Sequence, residues 1–163
     1  MCDHENSETS KGSEVYMRPA PNSPSAPVLL YDGVCGVCNR AVRAILRHDR
    51  IGTMRFAALD SDFAREILAR HPEAAGLDSA VYVCNAGEPD EAVYVKSAAL
   101  LEIARYLGGW WKVTLAAFAI PPAVRDWAYT RFAAARYRIG GRYDTCPVPT
   151  DDVRSRFLDA TYG

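Results

Sequence analysis

The stretch PVLLYDGVCGVCNRAVRAIL, residues 27–46, constrains the fold more than any other part of the chain. Val28 to Tyr31 is a short continuous apolar run that follows a proline and ends in Asp32-Gly33, the pattern of a buried strand closed by a turn. Cys35 and Cys38 come next. Val42, Ile45 and Leu46 then recur at helical spacing opposite Arg40, Arg43 and Arg47, so a helix begins near Cys35 and its basic end suits its dipole. A cysteine pair therefore stands where a strand hands over to a helix.

The same reading extends along the chain. Met54, Phe56 and Ala58 alternate with Arg55 and Ala57 as a strand does, and Asp60 or Ser61 can cap a helix through Phe63, Ile67 and Leu68 that stops at Pro72. Ala80 to Cys84 and Ala92 to Val95 are two further strands, made antiparallel by the loop-forming Asn85-Ala86-Gly87-Glu88-Pro89-Asp90 between them. Ser97 can cap a helix that buries Leu100, Leu101, Ile103, Ala104 and Leu107 and stops at Gly108-Gly109. The order β-α-β-α-β-β-α is a complete thioredoxin-type unit. The expected fold class is α/β, a thioredoxin-like four-stranded mixed sheet flanked by helices, followed by a C-terminal helical extension.

Domain organisation follows from composition. With 163 residues, 49% apolar and 24% charged, the chain has the size and usage of one globular domain. Residues 1–26 carry Pro19, Pro21 and Pro24 and few large aliphatics, which predicts a disordered tail. Residues 27–108 form the thioredoxin-like domain, and 109–163 the helical extension packed on it. That extension holds two helical stretches broken at Pro121-Pro122. Its apolar segment from Val113 to Val124 is shorter than the roughly 20 residues of a spanning helix, so a helical cap on the core is expected and membrane contact is not.

Charge and cysteine usage exclude some functions. Nineteen basic against twenty acidic residues leave a net charge of -1, which supplies no field for gripping nucleic acid. Five cysteines are an odd number and, apart from the close pair, scattered, unlike the framework of a stapled secreted domain. The first residues have neither a basic, apolar leader nor an Arg/Ser-rich transit pattern. A reducing, cytoplasmic setting is the expectation; nothing indicates the oligomeric state.

The Cys35/Cys38 spacing serves zinc or disulfide chemistry. Zinc needs four ligands, and no second half-site exists: Cys84, Cys146, His48 and His71 are single and far apart, and Cys2 with His4 lies in the tail. Neither a metal nor any other cofactor is expected. Redox chemistry needs only the pair. At a helix N-terminus the unpaired backbone N–H groups and the positive dipole end favour thiolate, which makes Cys35 the nucleophile. Cys38, one turn on, is the resolving thiol and is expected to be the more buried of the two. Asp32 has two roles open to it: a proton relay if burial raises its pKa, or simply the turn with Gly33. Gly36-Val37 between the cysteines offers no proline or histidine, so a moderate potential is expected.

YDGVCGVCNRAV resembles the DxxCxxC opening of the DCC family, thiol-disulfide oxidoreductases with a thioredoxin-like fold. The resemblance continues through RFAALDSD, YVKSAALLEIARYLGGWWKV and IPPAVRDWAYTRFAAARYRIGGRYDTCPVPTDDVRSRFL, covering residues 28–158. It implies exchange with protein or low-molecular-weight thiols through Cys35 and Cys38. Where thioredoxins carry a cis-proline before the third strand this chain has Asp78-Ser79, so its substrate-contact surface is expected to differ. The block from Arg125 to Arg142 is a candidate, with five arginines against Asp126 alone. It reads either as a solvated helix face or as a basic rim in which Arg136, Arg138 and Arg142 favour a thiolate or an anionic thiol partner. Cys146 could be a third redox thiol. Two other readings stand beside the enzyme: a binding module whose cysteines hold zinc or nothing and whose Trp110, Trp111 and Trp127 meet a partner protein, and a peripheral membrane protein.

Overall fold

β1 (Val28–Tyr31) is buried along its whole length, as an uninterrupted apolar run requires, and it is an inner strand of a four-stranded mixed sheet in the order β2-β1-β3-β4. β2 (Arg55–Ala58) pairs with it in parallel, so the chain must cross over, and α1 (Gly36–His48) makes that crossover. β3 (Val81–Cys84) lies antiparallel to β1, and β4 (Ala92–Val95) antiparallel to β3. α2 (Asp62–Arg70), α3 (Lys96–Leu107), a 3₁₀ helix (Gly109–Ala119), α4 (Pro122–Gly140) and α5 (Asp151–Arg154) complete the elements. This is the thioredoxin-like α/β architecture. The computed structural model describes residues 26–77, 79–143 and 151–159. The expected tail, Asp78 and Cys146 thus lie outside the described residues, apart from Ala26, which is buried.

The pleat sorts the core into two layers. Leu29 and Tyr31 face one side with Val42 and Ile45 of α1, Phe56, and Ile103 of α3. Val28 and Leu30 face the other with Ala64 and Ile67 of α2. Ser61 caps α2 as its sequence position predicts, its Oγ accepting the Ala64 N–H at 3.1 Å. Phe157 extends the edge beside β2, bridging to Phe56 with the rings stacked at 5.2 Å.

Two expectations for α3 need correction. Ser97 is not its cap: the helix starts at Lys96, and Ser97 sits in the first turn with its hydroxyl donating to Asp126 of α4. Leu100 is 50% exposed rather than part of the buried face, because it lines an open apolar cavity instead of the packed core. α4 packs across α1 and α3, yet Arg136 is its one buried residue, and the 3₁₀ helix buries none. No described helix is long and apolar enough to cross a membrane.

Candidate active site

Cys35 occupies the N-cap of α1 with extended backbone (φ -79, ψ 119), and its Sγ accepts the Cys38 N–H at 3.3 Å. One of the orphan donors of the helix start is thereby aimed at the sulfur. The approach to this cap is fixed from both sides. Asp32 Oδ1 accepts the Val34 N–H at 3.0 Å, a side-chain-closed turn, and the buried Asn39 amide donates to the Gly33 carbonyl at 2.6 Å and the Cys35 carbonyl at 3.0 Å.

The chain at the far end of α4 covers Cys35. The Gly36 N–H donates to the Gly141 carbonyl at 3.1 Å, the Tyr143 N–H donates to the Val34 carbonyl at 2.8 Å, and Arg142 bridges to Cys35 in strand fashion. Such closeness needs glycine on both helices. A Cβ on Gly36 would lie 2.0 Å from the Gly140 carbonyl oxygen, and one on Gly140 would lie 2.6 Å from the Val37 nitrogen. The expected order of burial is consequently reversed. Cys35 is 0% exposed beneath this segment, while Cys38 is half-buried and reaches an apolar cavity between α1, α3 and α4.

The two sulfurs have different electrostatic surroundings. Burial, reinforced by the hydrogen bond and charge of Cys35, pushes the Cys38 thiol up to about 12, against a smaller pull from Arg136. Cys38 is therefore a protonated thiol at neutral pH.

Asp32, Arg136 and Tyr137 form a cluster over the turn. Arg136 Nη2 lies 3.0 Å from Asp32 Oδ2 and 2.8 Å from the Tyr137 hydroxyl, and that hydroxyl also donates to Asp32. Burial alone raises the Asp32 pKa. The hydrogen bonds from Tyr137, Arg136 and the Val34 N–H outweigh it and hold the carboxyl below its ordinary value. The raised pKa on which a relay role depends is therefore absent, and the turn geometry is present. Arg136 is not on a solvated face: it is 4% exposed and stacked on Tyr137. Arg138, two residues on, points about 200° away around the helix and is exposed. Arg142 is exposed too, with its guanidinium over the Tyr137 ring. Sequence reasoning missed Asn39, Tyr137 and the Gly36/Gly140 contact. A polar residue one step past the CxxC, on the buried side of an amphipathic helix, was the signal for Asn39.

Cys35 and Cys38 are free thiols. Among the described residues no group of three or more His, Cys, Asp or Glu side chains is placed to hold a metal. The DCC1-like thiol-disulfide oxidoreductase family matches residues 29–142. An uncharacterized Bacillus subtilis protein, YuxK, is 36% identical over 136 residues, covering 80% of this chain and 93% of its own length. A chloroplastic DCC family protein of Arabidopsis thaliana is 37% identical over 124 residues, 74% of this chain and 68% of its own. No solved structure matches.

Proposed function

The chain belongs to the DCC1-like thiol-disulfide oxidoreductase family, and from that premise we propose that it exchanges disulfides through Cys35 as nucleophile and Cys38 as resolving thiol. The observation that carries this reading is the asymmetry of the pair. Cys35 Sγ receives a helix-end N–H, while Cys38, pushed up to about 12, keeps its proton. The Cys35 thiolate attacks one sulfur of a disulfide, forming a mixed disulfide and expelling the other sulfur as a thiolate. The Cys38 sulfur then attacks Cys35, its proton passes to the departing thiolate, and two electrons have moved from the pair to the substrate. Asp32 positions Arg136 and the turn; it is not assigned the proton transfer. Arg142, exposed beside Cys35, is the contact for an anionic thiol partner, and Arg138 receives no role.

Burial favours a second reading. Only Cys38 can be touched while residues 141–143 cover Cys35. In the oxidised protein an incoming thiolate would then attack Cys38 and expel Cys35, the sulfur better stabilised as a leaving group. Trapping with a disulfide substrate separates the two readings. An adduct on Cys35 in Cys38→Ser supports the first, and an adduct on Cys38 in Cys35→Ser supports the second. Full turnover in both variants overturns exchange at this pair. Protein and low-molecular-weight thiols are both proposed as partners. The cytoplasmic setting belongs to the same proposal and is checked by whether Cys84 is reduced in acid-quenched cells.

A further inference from the structure

The cavity that reaches Cys38 has a volume of about 610 Å³, within the roughly 300–1,000 Å³ of small-molecule sites. Its wall is almost wholly apolar, with Val42 and Ile45 on α1, Leu101 on α3, Trp111 on the 3₁₀ helix and Phe132 on α4. One charged side chain interrupts it. Arg125, in the first turn of α4, lines the cavity, and its Nε and Nη1 are buried without a hydrogen-bond partner among the described residues. Among the described residues no carboxylate hydrogen-bonds to these two nitrogens. Arg125 and Arg105 both lie over the Phe118 ring, at 5.4 and 5.5 Å, and the Glu102 carboxylate pairs with Arg105 at 3.3 Å. Asp126, next in sequence, accepts from Ser97. A half-buried guanidinium whose shielded Nε and Nη1 have no acceptor, at the edge of an apolar space, calls for an anionic oxygen.

The cavity is also long. On α4 its lining runs from Val124 to Phe132, roughly 12 Å at the 1.5 Å rise of a helix, with Cys38 of α1 on the same lining. We propose that this cavity binds a single-chain aliphatic carboxylate, its head on Arg125 and its chain running between α1, α3 and α4 toward Cys38. A flat aromatic or a compact polar ligand would leave most of that apolar length unfilled. The site stands independently of whether the pair exchanges disulfides, and an occupied cavity would shield the Cys38 thiol.

Dodecanoate, below its micelle concentration, is the probe, and dodecanol is its uncharged counterpart. Calorimetry on the full chain is expected to show one dodecanoate bound per chain, about tenfold or more tighter than dodecanol. Arg125→Gln is expected to abolish that preference while leaving dodecanol binding unchanged. Ala128→Trp, which fills the cavity from α4, is expected to remove both, with circular dichroism verifying the fold of each variant. Bound dodecanoate is expected to slow alkylation of Cys38 severalfold, read by peptide mass spectrometry. Equal binding of acid and alcohol overturns the proposal, as does unchanged dodecanoate affinity in Arg125→Gln. Failure of dodecanoate to bind a chain that sediments as a dimer also overturns it, assigning the apolar face to a second copy. Turnover of a disulfide substrate, measured alongside, keeps a failure here separate from failure of the redox reading.

Discussion

The sheet unit and the helices that follow it are held by different physics. In the sheet unit Phe56, Leu30, Met54 and Ile67 are fully buried, and removal of apolar surface from water dominates its stability. Beyond Gly108 the balance inverts. Trp110 is 81% exposed, Trp127 65% and Ile139 61%, while the one buried residue of α4 is an arginine. α4 is tied instead by short-range polar and backbone contacts: Asp126 to Ser97 at one end, then Arg136 and Tyr137 to Asp32, and Gly141 to Gly36 at the other. The burying unit builds the scaffold, and the tethered helix determines what reaches the cysteines.

That contrast can be broken at several points. The largest effect is expected in the sheet, where Phe56→Ala removes a fully buried ring in contact with Phe157 and should cost about 3–5 kcal/mol of unfolding free energy. Denaturant titration measures it. Gly36→Ala should come next, at roughly 1–3 kcal/mol, because the new Cβ meets backbone that cannot rotate away. It should also do what Phe56→Ala does not in the folded state, lifting residues 141–143 and speeding alkylation of Cys35. Unchanged alkylation would mean the cover is no barrier.

Arg136→Met sharpens the comparison through pH. Asp32 is depressed in the folded protein, so its contribution is fully present above the ordinary carboxylate range and lost as pH falls through its native value. Removing Arg136 raises that native value. The variant should lose less stability than wild type on acidification below about pH 4, starting from a lower plateau at neutral pH. Parallel acid-unfolding curves would show that the Asp32–Arg136 contact carries no linkage. The smallest effect is expected for Trp127→Ala, within about 0.5 kcal/mol, since an exposed ring on a tethered helix supports little.

The division between the regions also explains what could be read from the chain. β1, α1 and the hairpin were legible because burial writes itself into period: Val28 to Tyr31 is unbroken, and Val42 and Ile45 recur on one face. The Cys35 cap was legible for the same reason, as it stands where one period gives way to another. Arg136 was not. In a run of five arginines one buried member has no local mark, and its partner Asp32 lies 104 residues away. The cover over Cys35 was hidden likewise, since Gly140-Gly141 reads as a stop signal and its second use, the close approach to Gly36, exists only in three dimensions. Polar tethers between distant segments leave no periodic trace.

The central claim is that Cys35 and Cys38 act together as one redox couple with unequal sulfurs. Its most direct test is a mass-spectrometric count of adducts after a disulfide substrate meets wild type, Cys35→Ser and Cys38→Ser. The account predicts an intramolecular disulfide in wild type, a stable mixed disulfide on Cys35 in Cys38→Ser, and loss of turnover in both variants. Turnover retained without Cys35, or stoichiometric zinc that disappears with either cysteine, would contradict it.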